Sequence, residues 1–356
     1  MKRIVLISLL FLLFHSACLP VTTTPNIPSR PVETSMPPLP TPLPDPTSTA
    51  VSSPMLRRGV NFGNMLEAPN EGEWGLTVQE EYFDLVKEAG FDFIRLPIRW
   101  NAHADKAAPY TIDPDFFARN DEIVGWALER DLAIIVDFHH YEELMTDPQN
   151  HEDRFLGISK QVAEHYRDYP SSVLFELLNE PNARLDALLW NQYLAEALVV
   201  VRESNPTRDV VIGSVSWNAY DWLSTLVVPD DEHLIVTFHY YLPFNFTHQG
   251  AEWVGGSDQW LGTIWGTDAE KDEITRHFDS VSAWAQKHGN VRILLGEFGA
   301  YSKAPLDSRL HWTEFVRSEA ERHGFAWAYW EFGAGFGAYD PDVKAWRIDL
   351  LRALIP

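Results

Sequence analysis

The stretch Val173-Leu174-Phe175-Glu176-Leu177-Leu178-Asn179-Glu180-Pro181 is an apolar, strand-like run that closes on a carboxylate, Glu180. A second run, Arg292-Ile293-Leu294-Leu295-Gly296-Glu297-Phe298-Gly299, closes in the same way on Glu297. Working outward, runs of similar β-branched and aromatic character recur at 59–62, 93–96, 133–138, 210–213, 234–238 and 325–329. With 173–178 and 292–296 they number eight. Stretches with apolar residues at spacings of three and four lie between them, at 82–89, 116–130, 155–169, 188–203, 274–288 and 312–323. Only the fifth run is followed by a weak helical pattern. Near-continuous apolar strands alternating with helices predict a parallel sheet covered by helices. Eight such repeats in about 300 residues predict an α/β chain closed into a (β/α)8 TIM barrel, not an open doubly wound sheet. The barrel is expected to occupy residues 55–356 as a single domain.

In barrels of this kind the reactive groups stand at the carboxyl ends of the strands. Polar residues gather there: Asn64 and Glu67 after the first run, Arg95 in the second, His139 and His140 after the third, Asn179 and Glu180 at the fourth, His239 and Tyr241 at the sixth, Glu297 at the seventh and Trp330 at the eighth. Any one of these has a structural reading as a buried group satisfied by hydrogen bonds. Their gathering on one rim favours chemistry. A carboxylate at the end of a buried strand is costly unless the site uses it. Two of them, on strands far apart in sequence, suggest a pair that cleaves a glycosidic bond, one protonating the leaving oxygen while the other attacks or activates water.

The formal net charge of −23 disfavours nucleic acid and anionic membrane surfaces as partners, whereas a neutral substrate is not repelled. Fourteen tryptophans are many for 356 residues. Most tryptophans pack a core, but flat aromatic faces also suit the apolar CH faces of sugars. Met1-Lys2-Arg3 followed by the apolar run 4–14 reads as a signal peptide over residues 1–18, too short to span a bilayer permanently. His15-Ser16-Ala17-Cys18 resembles a bacterial lipoprotein cleavage site that would make Cys18 the lipidated first residue. His15 stands where such sites carry an aliphatic residue, so ordinary signal cleavage near Cys18 is the alternative. Either way the chain is expected to be exported, with membrane attachment only through Cys18. No other cysteine exists, so the mature body has no intrachain disulfide. Residues 19–54 hold eleven of the 24 prolines, interleaved with Thr and Ser, and read as a disordered spacer. At about 3.1 Å per residue such a spacer reaches on the order of 100 Å.

Taken in order, Gly63-Asn64-Met65-Leu66-Glu67-Ala68, Ile94-Arg95-Leu96-Pro97, Phe138-His139-His140-Tyr141, Leu178-Asn179-Glu180-Pro181, Phe238-His239-Tyr240-Tyr241, Gly296-Glu297-Phe298-Gly299 and Tyr329-Trp330-Glu331-Phe332 resemble the family 5 glycoside hydrolases of the clan A barrels, the cellulase family. The resemblance covers essentially all of 55–356. The loop from Phe246 to Trp253 further resembles a subgroup of bacterial endoglucanases, some of which accept mannans. The resemblance implies a monomeric retaining endo-β-1,4-glucanase acting on β-linked poly- or oligosaccharide, with no metal and no cofactor. Endo-β-1,4-mannanase or mixed-linkage glucanase as the main activity stays open. By the same resemblance Glu180 is general acid and then base, and Glu297 is the nucleophile. Asn179 holds the sugar 2-hydroxyl, and Arg95 and Tyr241 hydrogen-bond Glu297 and keep it ionised. Glu180 stays protonated until attack, so the two pKa values are expected to be driven apart. His139, His140 and His239 line the cleaved-side sugar site, Trp330 is its stacking floor, and Asn64, Glu67 and Trp253 touch sugars from the rim.

Other motifs compete. The histidines with the two glutamates suggest a metal hydrolase. The first strand lacks the His-x-His with which such barrels begin, and neighbours such as His139 and His140 tend to point to opposite sides of a strand. Gly333-Ala334-Gly335-Phe336-Gly337-Ala338 has the letters of a dinucleotide fingerprint, but too few residues follow for the βαβ unit that would confirm it. No Gly-x-Ser-x-Gly elbow is present. A non-catalytic sugar-binding barrel is expected to lack one of the two carboxylates.

Overall fold

The computed structural model describes residues 55–356. The expectations for the signal segment 1–18, Cys18 and the spacer 19–54 lie outside the described residues. Eight parallel strands, β1 (Arg58–Asn61), β2 (Phe93–Ile98), β3 (Ala133–Phe138), β4 (Val173–Glu176), β5 (Val210–Gly213), β6 (Leu234–Tyr240), β7 (Arg292–Phe298) and β8 (Ala326–Tyr329), pair in chain order and close with β8 on β1. The (β/α)8 barrel read from the sequence is the fold.

The strands lack polar alternation because both their faces are buried. Phe93, Ile135, Leu174, Val211, Ile235 and Leu294 form one apolar cluster that fills the lower barrel. The intervening Ile94, Ile134, Val136 and Phe175 belong to a second, larger cluster shared with the helices. Farther along the strands the inward positions turn polar while staying buried: Asn61, Arg95, Asp137, Glu176 and Thr237.

Helices Glu80–Ala89, Pro114–Glu129, Pro148–His165, Ala187–Ser204, Asp268–Lys287 and Leu306–Arg322 surround the strands. All six begin earlier than the apolar spacing predicts, and those starting at Pro148, Asp268 and Leu306 do so by a turn or more, because their first turns are largely polar. The helix Asp268–Lys287 starts on a capping box in which Thr267 accepts from the Glu270 N–H and Glu270 reaches back to the Thr267 N–H. As the weak pattern predicts, no full helix follows β5, only the short turns Val215–Asn218 and Tyr220–Thr225.

Two departures from the expected strand ends shape the site. β4 stops at Glu176, so Asn179 and Glu180 stand beyond it in the loop, with Glu180 in the left-handed region at φ 51°. Glu180 therefore does not close a strand, whereas Glu297 lies within β7. Between Phe238 and His239 the β6–β7 register shifts, which sets His239 directly opposite Glu297.

Candidate active site

The polar layer is organised by Arg95, which is fully buried. Its Nε and Nη2 donate to the two oxygens of Glu176 at 2.6 and 2.8 Å, and Nη2 lies 3.0 Å from Asp137. Nη1 donates to Asn61 Oδ1 at 3.0 Å and to Glu297 Oε1 at 2.8 Å, and Nη2 also donates to Asn179 Oδ1 at 2.8 Å. One cation thus faces three carboxylates within a buried layer. Burial raises Glu176 and pushes Asp137 up to about 7, against the pull of Arg95. Asp137 and Glu176 were not singled out from the sequence. Their signal is the period-two spacing Ile135-x-Asp137-x-His139 and Leu174-x-Glu176, which carries charge onto the inner face of an apolar barrel.

Glu180, His239 and Glu297 come together at the mouth. His239 Nδ1 is 2.8 Å from Glu180 Oε1 and 3.6 Å from Glu297 Oε2, so this histidine lies between the two carboxylates. Burial pushes both glutamates up to about 7 and His239 down to about 4, leaving the imidazole neutral in the neutral range. The expected separation of the two pKa values is not seen, since both rise to about 7, but the partners of the two glutamates differ. Glu297 accepts from Arg95 and, at 2.9 Å, from the Tyr241 hydroxyl, and its side chain is 6% exposed. Glu180 has the bridging histidine, no contact to Arg95, and a side chain 24% exposed. These donors favour the charged form of Glu297 more than that of Glu180.

His139 and His140 lie past the end of β3, so strand alternation does not separate them, and their rings are 4.6 Å apart. His139 pairs through Nδ1 with Asp137 at 2.5 Å and stacks on Trp330 at 5.7 Å and 6°. Its Nε2 is 3.3 Å from Asn179 Nδ2, so Asn179 is oriented from both ends. His140 meets Trp74, an exposed ring not singled out from the sequence, at 5.8 Å. Gly63 leaves room for the Trp330 indole, which a Cβ there would meet at 2.9 Å. Asn64 sits partly buried at φ 62°. Glu67 does not face the rim freely: its carboxyl is buried, accepts the N–H groups of Asn64 and Met65, and is pushed up to about 8 by burial.

On the opposite wall Tyr241 leads to His248 at 5.0 Å, and Trp253 stands 62% exposed with its ring 5.0 Å from Tyr301. Beside Glu180, Ser216, Trp217 and Asn218 all have positive φ, at 61°, 59° and 54°. The Trp217 N–H donates to the Pro181 carbonyl, and the indole is 58% exposed. Three successive left-handed non-glycine residues cost on the order of 1–3 kcal/mol each, which the surrounding contacts must offset. No sequence periodicity marks them.

The glycine-rich 333–338 segment is a turn. Its N–H donors at Gly333, Ala334 and Phe336 go to the buried Glu331 carboxyl, which leaves none of the three to cradle a phosphate. Among the described residues Glu180, His239 and Glu297 are the group that could hold a metal ion, with one ligand atom from each within 4.8 Å of the others.

A family model described as Cellulase (glycosyl hydrolase family 5) matches residues 56–335. Endoglucanase H of Acetivibrio thermocellus is 38% identical over 291 residues, 82% of this chain and 31% of that protein, so the chain spans about a third of its length. Endoglucanase B of Clostridium cellulovorans is 29% identical over 78% of this chain and 67% of its own. Among solved structures, Thermotoga maritima Cel5A, in complexes with mannotriose and with cellobiose, is 49% identical with a TM-score of 0.83, covering 85% of this chain and 98% of that one. The cellulose synthase subunit Z of Clostridioides difficile is 40% identical with a TM-score of 0.82, covering 85% and 100%. With the family model matched over most of its described length, the chain belongs to the cellulase family, glycosyl hydrolase family 5.

Proposed function

We propose that the chain is a retaining endo-β-1,4-glucanase that cuts internal bonds of β-linked glucans and tolerates mannose units. The observation that carries the retaining mechanism is the spacing of the carboxylates: an oxygen of Glu180 and an oxygen of Glu297 lie within 4.8 Å of each other. That gap suits direct attack on the sugar, whereas inverting enzymes hold the pair about 6.5–9.5 Å apart to admit a water. In this reading Glu297, ionised by Arg95 and Tyr241, attacks the anomeric carbon while Glu180 gives its proton to the leaving oxygen. A water then enters, Glu180 takes its proton, and the bond to Glu297 is broken with net retention. Asn179, held by Arg95 and His139, presents its amide to the 2-hydroxyl, and Trp330 lies beneath the ring.

Tolerance of mannose is favoured by the Thermotoga relative, whose solved complexes contain mannotriose and cellobiose. Stacking on Trp330 and Trp253 is indifferent to hydroxyl orientation, so the C2 epimers differ by about one hydrogen bond, roughly 1–3 kcal/mol. Glucan and glucomannan are therefore expected to be cut at rates within roughly two orders of magnitude. Proton NMR of a freshly hydrolysed cello-oligosaccharide tests the mechanism: the β-anomer appears first. Initial appearance of the α-anomer, or release of end-group disaccharide before viscosity falls, contradicts the proposal. The leader and Cys18 add the proposal that the enzyme is exported as a monomer and anchored by lipid on Cys18. Mass spectrometry of the mature N-terminal peptide reads the lipid directly.

A further inference from the structure

We propose that Phe244 and Trp260 form a distal sugar-binding surface that grips units of the same polysaccharide chain beyond Trp253; this rests on the glucanase reading above. The segment between Tyr241 and Thr263 carries only the short turns Phe244–Thr247 and Ser257–Trp260, yet buried polar side chains fix it. Gln249, fully buried, donates to the carbonyls of Phe246 at 2.9 Å and Thr263 at 3.0 Å and accepts the Gly262 N–H at 2.8 Å. Thr247 Oγ1 donates to the Tyr241 carbonyl at 2.6 Å, and Ser257 Oγ to the Ala251 carbonyl at 2.7 Å. The excursion is a rigid platform.

Its outer face carries aromatic rings that the fold does not cover. Phe244 is 42% exposed, and Trp260, partly exposed, meets it edge-on at 6.1 Å and 78°. Phe244 stacks on His248 at 4.0 Å, and His248 lies 5.0 Å from Tyr241, whose hydroxyl bonds Glu297. His248 itself is buried, but it also meets the exposed Trp253 at 6.5 Å, so Phe244 and Trp253 flank the same ring and the outer pair adjoins the rim of the site. Exposed aromatics on a preorganised support are a binding surface at little ordering cost, and their flat faces match the CH faces of a neutral sugar. Continuity with the catalytic site favours a sugar chain as the occupant. The chain's net charge of −23 disfavours a second copy of itself.

The test compares Trp260→Ala with the full-length enzyme on two substrates, a long soluble β-glucan below saturation and a short chromogenic cellobioside. The ratio of polymer rate to cellobioside rate is expected to fall three- to tenfold through KM, with an unchanged melting temperature. In a Glu297→Gln background, which reads binding without turnover, longer cello-oligosaccharides are expected to bind more tightly than cellotriose, and Trp260→Ala to abolish that length dependence. Equal losses on both substrates, or no loss on either, overturn the platform. So does a wild-type dimer that Trp260→Ala dissociates. If the enzyme cuts neither substrate, the glucanase reading fails, while the length-dependent binding still reports on the platform by itself.

Discussion

Arg95 faces three carboxylates and Glu297 receives two of the mouth's donors, so the asymmetry between the two glutamates is a property of their neighbours. Removing either reacting group is expected to cost several orders of magnitude in turnover: Glu180→Ala and Glu297→Ala should each fall at least about a thousandfold without unfolding. Azide distinguishes the roles. It should rescue Glu297→Ala with a product of inverted configuration and Glu180→Ala with a retained one. Near wild-type activity in either variant would refute the assignment. Tyr241→Phe tests the electrostatics. It removes one hydrogen bond to the charged form of Glu297, so the Glu297 pKa rises and the acid limb of kcat/KM moves to higher pH. A bond of that kind is worth about 1.5–3 kcal/mol, or roughly ten- to a hundredfold in rate. An acid limb that stays in place in the pH profile removes Tyr241 from this role.

At the scale of elements, the strands supply rigid walls and the loops after them aim the side chains. The loop after β1 illustrates the cost. Glu67 holds the Asn64 and Met65 N–H groups from a buried position, and burial pushes its carboxyl from the ordinary 4.5 up to about 8. The folded protein keeps this proton over a range where the unfolded chain has released it. The contribution is therefore full below about pH 4.5 and is lost as pH rises toward 8, at about 1.4 kcal/mol per pH unit. Glu67→Gln has no proton to lose. Its melting temperature should decline less steeply than that of the wild type between pH 5 and 8, measured by calorimetry. Parallel curves would show that Glu67 does not titrate there. The helix positions were legible from apolar spacing, but their polar first turns were not, because such turns, one of them closed by a capping box, do not extend the apolar stripe.

For the whole molecule, the reaction as proposed needs only side chains. Activity is expected to survive exhaustive chelation, although Glu180, His239 and Glu297 have the spacing to bind an ion. Loss of activity with EDTA that returns with Zn²⁺ would replace the glycosidase mechanism by a metal one. The closed barrel also makes a prediction about residues 1–54. β1 begins at Arg58 and closes against β8, so the hydrogen-bonded ring is complete within residues 55–356. A chain beginning at Met55 should match the full-length protein in melting temperature and specific activity. A large drop in either shows that residues 1–54 pack on the barrel.

Local periodicity is written in the sequence, and so were the consequences of local periodicity: eight apolar runs, their helices, the weak connection after β5, and the rim on which Arg95, Asn179, Glu180, His239 and Glu297 gather. What the tertiary structure decided depends for the most part on groups far apart in the chain, Glu67 with its neighbouring donors being the local exception. Asp137 and Glu176 join the site only because closure points them at Arg95. His239 comes to bridge the two glutamates through a register shift between β6 and β7. Glu67 turns to backbone donors, and the left-handed triplet at Ser216–Asn218 lifts Trp217 beside Pro181. Spacing along a chain fixes which face of a strand or helix a residue occupies. The direction of a side chain in a loop is set by its partners across the barrel, which spacing does not encode.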